Sequence, residues 1–363
     1  MKSISLPRGV LFAFGAAALF GLSTPFSKLL LEHTSPLLLA GLLYLGSGVG
    51  LSLVRWLRRG EKSEAALSRR DWPWLGGAVL FGGALGPVLL MIGLSHTTAA
   101  TASLLLNLEG VFTALLAWFA FRENFDRRIA LGMALIVAGG VLLSYHPGSG
   151  LTLAPGALAV AGACLCWGID NNLTQKVSSS DPFQIAAIKG LVAGSVNLVL
   201  ALLVGARFPA WPVLSGALVV GFLGYGLSLA CFVLALRLLG TARTGAYFSL
   251  APFLGALVSL VILREGVGPL FFGSALLMGA GVWLHLSEKH GHKHVHERLE
   301  HAHSHTHDEH HQHDHAPDID PAEPHSHLHV HEPLTHLHAH FPDIHHRHEH
   351  SPGEEASPIQ DRV

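Results

Sequence analysis

The chain has 363 residues, of which 50% are apolar and only 13% are charged, and its mean hydropathy is +0.43. Soluble domains carry about 25% charged residues, so this composition excludes an ordinary water-soluble enzyme. The formal net charge of −2 averages two unlike parts, because residues 290–363 hold four basic and fourteen acidic residues while residues 1–289 hold nineteen basic and eleven acidic ones.

The body of the chain, residues 1–289, contains ten apolar segments of the length that a membrane helix needs. A bilayer core about 30 Å thick is crossed by about 20 apolar residues of helix. The segments lie near residues 9–30, 36–54, 74–95, 98–120, 128–145, 155–175, 183–205, 213–235, 243–263 and 267–286. The links between them are mostly short and rich in breaker residues. We therefore expect an all-α integral membrane body with ten transmembrane helices.

The Lys and Arg residues of the body are unevenly distributed between the two sides of the predicted bundle. With the N-terminus inside the cell, fourteen of them fall on the cytoplasmic side and three on the other. Because short cytoplasmic loops retain positive charge, this bias predicts a multi-pass protein of the plasma (inner) membrane with both termini in the cytoplasm. No small-residue cleavage site precedes Thr24, so we expect the first segment to be a retained helix rather than a signal peptide.

The body repeats itself once along its length. The segment 99–123 aligns with 241–265, and its terminal Arg122-Glu123 meets Arg264-Glu265. A unit of five helices crosses the membrane an odd number of times, so a second copy of it lies upside down, as in many secondary transporters. This pattern predicts two inverted five-helix repeats with a transport path at their interface.

Three stretches of the body carry a recognisable pattern: ALFGLSTPFSK at 18–28, LLLNLEGVFTALLAW at 104–118 running into Phe121-Arg122-Glu123, and CWGIDNNLT at 166–174. They resemble the EamA-type transporters of the drug/metabolite transporter (DMT) superfamily. The resemblance implies ten helices, with a first EamA-like repeat at 8–146 and a second at 155–287. It does not fix a substrate, because the superfamily exports amino acids, metabolites and drugs. Where the second repeat has Pro252, the first has Gly110 preceded by Glu109.

We single out three charged side chains that fall inside predicted membrane segments, away from the segment ends. Glu109 lies in the fourth segment, Asp170 in the sixth and Lys189 in the seventh. A charge at the centre of a membrane helix costs about 2.5–3.5 kcal/mol on insertion scales, so each needs a partner or a function. Three amides accompany the carboxylates and complete the predicted transport pathway: Asn107, Asn171 and Asn172.

Two interpretations of these charges stay open. In the first, Lys189 pairs with Asp170 or Glu109 as an internal ion pair that fixes helix packing. In the second, Glu109 or Asp170 alternately holds a proton and a cationic or zwitterionic substrate, as antiport requires. Glu109, Asp170 and Lys189 can also combine the two roles, with one of them fixing helix packing while a carboxylate exchanges the proton. Gly168, two residues before Asp170, would allow a local break in its helix, and Pro25, Pro87 and Pro252 indicate kinks or discontinuous helices.

The tail, residues 290–363, holds 23 of the 27 histidines, most of them in His-x-His patterns interrupted by prolines. Such a segment cannot bury an apolar face, so we predict a disordered cytosolic tail. Neutral imidazole binds borderline metals, which predicts redundant sites for Zn²⁺, Ni²⁺, Co²⁺ or Cu²⁺. The predicted ligands are His292, His294, His296, His301, His303, His305, His307, His310, His311, His313 and His315.

The sequence therefore predicts a secondary active transporter, an exporter of a small metabolite or cation, with a metal-binding tail and no required cofactor. The first alternative is a Zn, Ni or Co efflux protein whose tail captures the cargo; the second is a membrane-tethered metal buffer or sensor without transport. The body shows no Walker-type loop or nucleophile constellation, so neither direct ATP drive nor an enzymatic activity is predicted. The expected partners are a substrate and the lipid bilayer, with a homodimer as a candidate assembly and no nucleic acid.

Overall fold

The structure is a computed structural model, and it describes residues 8–58, 67–121, 127–145, 154–178, 180–286, 291–295, 299–305, 325–331 and 335–339. The α-helices are α1 (Arg8–Leu31), α2 (Pro36–Leu57), α3 (Trp72–Ala78), α4 (Gly86–His96), α5 (Ala99–Leu105), α6 (Leu108–Phe121), α7 (Arg127–Leu143), α8 (Pro155–Val177), α9 (Pro182–Leu203), α10 (Trp211–Val220), α11 (Ser228–Phe248), α12 (Ala251–Ile262) and α13 (Pro269–Leu286). Two π-helical segments, π1 (Val79–Leu85) and π2 (Gly221–Leu227), join α3 to α4 and α10 to α11. The predicted all-α membrane fold of the body is confirmed.

Within the described residues, six helical stretches are long and apolar enough to cross a membrane: Arg8–Leu31, Pro36–Leu57, Trp72–His96, Ala99–Leu116, Pro182–Leu203 and Trp211–Leu236. Three shorter apolar helices accompany them, at Arg128–Leu143, Ala251–Ile262 and Pro269–Leu284. The count of ten spans stays a prediction. Large apolar side chains such as Leu203 and Leu276 are more than 70% exposed, which suits an environment of lipid rather than water.

Helices α2 and α9, the second helices of the two predicted repeats, cross with almost no side chain between them. A Cβ placed on Gly190 would overlap the backbone of Gly48, and one placed on Gly194 would overlap the backbone of Leu45. Small residues let membrane helices approach closely, and the resulting van der Waals contact replaces the hydrophobic effect that lipid does not provide. The glycines of α2 and α9 thus fix the centre of the bundle.

The segments π1 and π2 lie at corresponding positions of the two repeats. Val79 begins π1 and Gly221 begins π2, and these residues are offset along the chain by the same amount as the aligned segments 99–123 and 241–265. Both segments contain two or more glycines. π-Helical turns are rare and occur most often at functional sites. The two halves of the body therefore share an irregular element.

Pro87 explains how the irregular turn at π1 binds its neighbours. Proline has no N–H, so carbonyls of the preceding turn lose their helical donor. The Gly82 carbonyl accepts instead from Tyr44 Oη at 2.5 Å and Trp167 Nε1 at 3.0 Å. Asn197 Nδ2 donates to the next two carbonyl oxygens, at 3.4 and 3.2 Å. The irregularity predicted at Pro87 thus anchors three side chains from other helices.

Gly168 lies inside an unbroken helix, so the local break that it would allow beside Asp170 does not form. Helix α8 runs from Pro155 to Val177 without interruption. A Cβ on Gly168 would lie 2.9 Å from Phe112 Cβ and 3.0 Å from Thr113 N. The glycine therefore permits close packing of α8 on α6 instead of interrupting the helix.

The eighth and ninth predicted segments also differ from the structure. Helix α11 continues to Phe248, whereas the sequence places a boundary between residues 235 and 243. No proline interrupts α11, but Pro252 lacks the N–H that would bond to the Phe248 carbonyl, so the helix ends there. The discontinuity predicted at Pro252 is present, and Pro25 lies inside the continuous helix α1.

The part of the tail that the structure describes forms four strands: β1 (Gly291–Val295), β2 (Leu299–His305), β3 (His325–His331) and β4 (Thr335–Ala339). β1 pairs with β4 and β2 with β3, both antiparallel. These strands differ from the disorder that the sequence predicts for the tail; His-x-His alternation has the two-residue period of a strand. The other tail residues lie outside the described part of the chain.

Candidate functional site

A cavity of about 500 Å³, counting its open mouth, lies between helices from both halves of the body. Four of the six predicted pathway residues line it: Glu109, Asp170, Asn171 and Lys189. Six aromatic side chains form much of its remaining wall: Phe20, Tyr44, Trp167, Tyr225, Phe232 and Phe248. The cavity therefore combines a few charged groups with a largely aromatic surface, as ligand sites commonly do.

Lys189 and Asp170 form a buried ion pair in the cavity wall. Lys189 Nζ donates to Asp170 Oδ1 at 2.6 Å and Oδ2 at 2.7 Å. Thr174 Oγ1 donates to Asp170 Oδ1 at 2.9 Å and accepts from Lys189 Nζ at 3.4 Å. Of the two partners left open by the sequence, Lys189 thus binds Asp170. A Cβ on Gly82 would overlap this carboxylate, so the glycine of π1 makes room for the pair.

Glu109 has a different environment. It lies in the first turn of α6, directly after the turn at Leu106 and Asn107 that separates α5 from α6. Asn171 Nδ2 donates to Glu109 Oε1 at 2.8 Å and to Thr113 Oγ1 at 3.2 Å. Among the described side chains, no cation lies within ion-pair distance of Glu109. The N-terminal end of a helix favours a negative charge, so the carboxylate is held by an amide and a helix terminus.

The other two predicted pathway residues do not line the cavity. Asn172 Nδ2 donates to the Gly168 carbonyl at 2.8 Å and to the Thr113 carbonyl at 3.2 Å, which ties α8 to α6. Asn107 is buried, and its Nδ2 donates to the Leu104 carbonyl at 2.9 Å. Both amides thus bind backbone carbonyls, Asn172 between two helices and Asn107 within its own turn.

The aromatic wall is the part of the cavity that the sequence analysis missed. The Phe20 ring centroid lies 5.7 Å from Trp167, 5.9 Å from Tyr225 and 5.4 Å from Phe248. Aromatic residues are common in membrane helices, so composition does not single these out. Tyr44 and Tyr225 were the available signal, because tyrosine prefers the membrane interface and both lie in the interior of predicted segments.

The described side chains of the body contain no cluster of three His, Cys, Asp or Glu residues that could bind a metal ion. In the tail, the backbone register places His301, His303 and His305 opposite His329, His327 and His325. Likewise His292 and His294 lie opposite His338 and His336. The remaining predicted ligands lie outside the described residues: His296, His307, His310, His311, His313 and His315.

A sequence profile described as the EamA-like transporter family matches the chain twice, at residues 7–145 and 154–287. Arg264-Glu265 of the repeat lies within the second match, while its counterpart Arg122-Glu123, in the first, lies outside the described residues. The tail lies beyond both matched ranges.

Three curated proteins illustrate what the chain resembles. An uncharacterized transporter of Methanothermobacter thermautotrophicus is 30% identical over 294 residues, which are 76% of this chain and 85% of that protein. The uncharacterized transporter YvbV of Bacillus subtilis is 24% identical over 289 residues, 78% of this chain and 93% of that protein. The probable 4-amino-4-deoxy-L-arabinose-phosphoundecaprenol flippase subunit ArnE of Pseudomonas fluorescens is 39% identical over 89 residues, 24% of this chain and 75% of that protein.

A solved crystal structure shares the fold. It superposes with a TM-score of 0.59 and 18% sequence identity, covering 77% of this chain and 98% of that chain. At this identity the likeness concerns the architecture of the body alone.

Proposed function

The chain belongs to the EamA-like transporter family, and we propose that it is a secondary active exporter of a small organic solute, working by alternating access of its two halves. It is a multi-pass membrane protein. The distribution of Lys and Arg supports the plasma (inner) membrane with both termini in the cytoplasm. A homodimer is a candidate assembly, which light scattering of the purified protein tests.

One observation carries this proposal: a cavity between the two halves contains a carboxylate, Glu109, whose partner in the described residues is an amide rather than a cation. Antiport needs a group that binds a proton in one half of the cycle and the cargo in the other. Asp170 is poorly suited to this exchange, because Lys189 and Thr174 occupy its oxygens. Glu109 is therefore the coupling residue, and the Lys189–Asp170 pair is structural.

The discontinuous helices support a way of changing access. Glu109 lies at the start of α6, after a turn, and α12 begins at the corresponding position of the second half. Rigid helices joined by short turns move as units, with the dihedral changes confined to the turns. Rocking of one half against the other would expose Glu109 to each side in alternation, as in other inverted-repeat transporters.

The transport assay uses the full chain in proteoliposomes that contain a trapped pH-sensitive dye, because exchange of one proton for one monovalent cation moves no net charge. A panel of organic amines, amino acids, carboxylates and Zn²⁺ is added outside, and the proton movement that each solute drives is recorded. We expect one class of solute to drive proton movement that Glu109→Gln abolishes and Glu109→Asp retains. Proton movement that is unchanged in Glu109→Gln would remove this residue from coupling.

We further propose that the tail binds divalent metal ions, Zn²⁺, Ni²⁺, Co²⁺ or Cu²⁺, as a cytosolic buffer or regulator. The register of β2 and β3 supports this, because residues directly opposite in an antiparallel pair have Cβ atoms about 4.5–5.5 Å apart on one face. Three successive histidine pairs follow one another there. Histidine is a common zinc ligand, so this backbone register supports the proposal.

Two other functions would use the same tail differently. In a metal efflux protein the tail would deliver Zn, Ni or Co as cargo; in a tethered buffer it would act without transport. Cells expressing the full chain, a chain lacking residues 290–363, or Glu109→Gln distinguish them by metal accumulation. Efflux requires both changes to raise accumulation, whereas tethered buffering requires an effect of the tail deletion alone. Our proposal expects Glu109→Gln to leave metal accumulation unchanged.

A further inference from the structure

We infer that the cavity selects a monovalent organic cation with an apolar or aromatic body, held by Glu109 and the aromatic wall. The inference deepens the proposed function and rests on it, since the bound cation would be the exported cargo. Three observations support it: the net negative charge of the cavity, the donors of its wall that are already bound to other groups, and the aromatic rings that line it.

The charged groups of the cavity leave one negative charge. Among the described lining side chains, Lys189 and Asp170 neutralise each other at 2.6 Å, and Glu109 remains. Charges interact more strongly in a poorly hydrated site than in water. A solute with a single positive charge would therefore balance the charge of Glu109, whereas an anionic solute would be repelled by it.

The only cationic donor among the described lining side chains and two of the aromatic donors are already used, which argues against a zwitterion, although the buried Tyr225 Oη has no hydrogen-bond partner among the described residues. Lysine has three N–H donors, and Lys189 directs them to both oxygens of Asp170 and to Thr174. Tyr44 Oη and Trp167 Nε1 both donate to the Gly82 carbonyl. The carboxylate of an amino acid would thus be buried next to Glu109 without a free cationic donor from any of these groups, and burying an unpaired charge is strongly unfavourable.

The walls suit a cation better than a neutral solute. Since Tyr44 and Trp167 are tied to Gly82, they present ring surfaces rather than donors to the cavity. The rings of Phe20, Phe248 and Phe232 continue this surface, with centroids 5.4 and 4.9 Å apart in successive pairs. The faces of aromatic rings attract ammonium groups, and quaternary ammonium ligands are often held in aromatic cages.

A metal ion fits the same cavity poorly. Divalent cations require several oxygen, nitrogen or sulfur ligands at short range. In the described part of the body, Lys189 occupies the oxygens of Asp170, and no three His, Cys, Asp or Glu side chains converge. Aromatic walls supply no ligands in place of them, so the organic cation is the cargo class that this surface favours.

Equilibrium binding of three related probes tests the inference on the purified full chain. Phenethyltrimethylammonium is the cation, phenylalanine betaine adds a carboxylate to it, and 3-phenylpropanoate is the anion. We expect saturable binding of the cation, at least tenfold weaker binding of the betaine, and none of the anion. Glu109→Gln should weaken binding of the cation more than tenfold, while Glu109→Asp should retain most of it.

A second variant tests the aromatic wall. Phe248→Leu keeps an apolar surface but removes a ring face, so we expect about tenfold weaker binding of the cation. Phe272→Leu is the matched control, because this ring is 56% exposed and lies outside the cavity lining, and binding should not change. Thermal unfolding of each variant shows whether it is folded.

The outcomes separate the inference from the proposed function. Equal binding of cation and betaine, or cation binding that Glu109→Gln leaves intact in a folded protein, would overturn the inference. If the solute panel instead gives Glu109-dependent proton movement only for carboxylates, the inference fails while the transport proposal stands; if only Zn²⁺ gives it, both fail. If the cation binds as expected but no solute drives proton movement, the inference about the site stands and the transport proposal fails.

Discussion

Asp170 and Lys189 are about 8% and 2% exposed in their side chains, whereas the ion pair of Arg55 with Asp181 lies at the surface. Charge in apolar segments was sufficient to single out Glu109, Asp170 and Lys189 from the sequence, and all three line the cavity. It could not predict which carboxylate Lys189 binds, because that depends on the rotation of α6, α8 and α9 about their axes.

The buried pair predicts a strong and asymmetric effect on stability. Lys189→Met leaves the Asp170 carboxylate buried without its partner, so we expect unfolding free energy to fall by about 3–5 kcal/mol. Replacing both residues, as Asp170→Leu with Lys189→Met, should recover most of the loss, because a buried pair is often no more stable than apolar side chains of similar volume.

Equilibrium unfolding of the purified variants in mixed micelles measures these changes. Arg55→Met is the matched control, since its 44% exposed side chain predicts a loss of only about 0–1 kcal/mol. A loss of similar size in Lys189→Met and Arg55→Met would contradict a structural role for the buried pair.

At the scale of elements, helix packing decides whether a glycine-to-alanine substitution lowers or raises the stability of the protein. Gly190→Ala places a Cβ against the backbone of Gly48 in α2, so we expect a loss of stability of about 1–3 kcal/mol from overpacking. Gly15→Ala, in α1, meets nothing within 4 Å and should stabilise the helix by about 0.5–1 kcal/mol. Opposite signs in thermal unfolding are expected; a stabilising Gly190→Ala would show that α2 and α9 do not approach closely.

Two side chains hold the turn between α4 and α5, one from helix α1 and one from the link between α12 and α13. Lys28 Nζ donates to the Leu94 and Thr97 carbonyls. Both oxygens of Glu265 accept backbone N–H groups, from Ala99 at 2.7 Å and Ala100 at 2.8 Å. These are unpaired donors of a helix N-terminus, which need acceptors. Arg264, with a φ of +51°, directs the chain so that Glu265 reaches them.

Glu265→Ala should therefore loosen this end of the bundle. We expect a loss of about 0.5–2 kcal/mol, the range for removing an N-cap, and several-fold faster amide exchange at residues 99 and 100. Hydrogen exchange with mass spectrometry measures both sites in peptides from this turn. Glu32→Ala, at an exposed position, should leave the exchange unchanged; equal protection in Glu265→Ala would contradict the capping.

The elements were predictable from sequence to different degrees. Apolar length was sufficient for most helices, because membrane segments of about 20 residues differ from their links in composition. Apolar length could not locate the end of α11, because the N–H that Pro252 lacks leaves the Phe248 carbonyl, four residues earlier, without its helical donor. It could not locate π1 and π2 either, because their sequences look like those of ordinary apolar helices. Gly168 misled because a glycine can serve close packing as well as a helix break.

At the scale of the whole molecule, the chain consists of a membrane body and a histidine-rich tail. The formal charge of −2 describes neither part, since the body is basic and the tail acidic. The spacing between the two repeats of the sequence recurs in the positions of π1 and π2. The cavity could not be predicted, because its lining comes from seven separate elements whose contacts appear only in the folded bundle.

The tail predicts pH-dependent metal binding. Only neutral imidazole binds metal, and histidine has an unperturbed pKa of about 6.5, so zinc binding should be full above about pH 7 and fall as pH decreases through about 6. Competition with a zinc-sensitive dye measures it on the full chain. A chain lacking residues 290–363 is the control and should bind little zinc; undiminished binding after the deletion would place the zinc sites in the body.

The central claim is that Glu109 couples proton movement to export. It is tested most directly in proteoliposomes that contain a trapped pH-sensitive dye and a potassium clamp of the membrane potential, with phenethyltrimethylammonium added outside. This probe has a fixed charge, so it carries no proton through the lipid itself. We predict proton movement opposite to the cation for the full chain and for Glu109→Asp, and none for Glu109→Gln. Proton movement in Glu109→Gln equal to that of the unmodified chain would contradict the account.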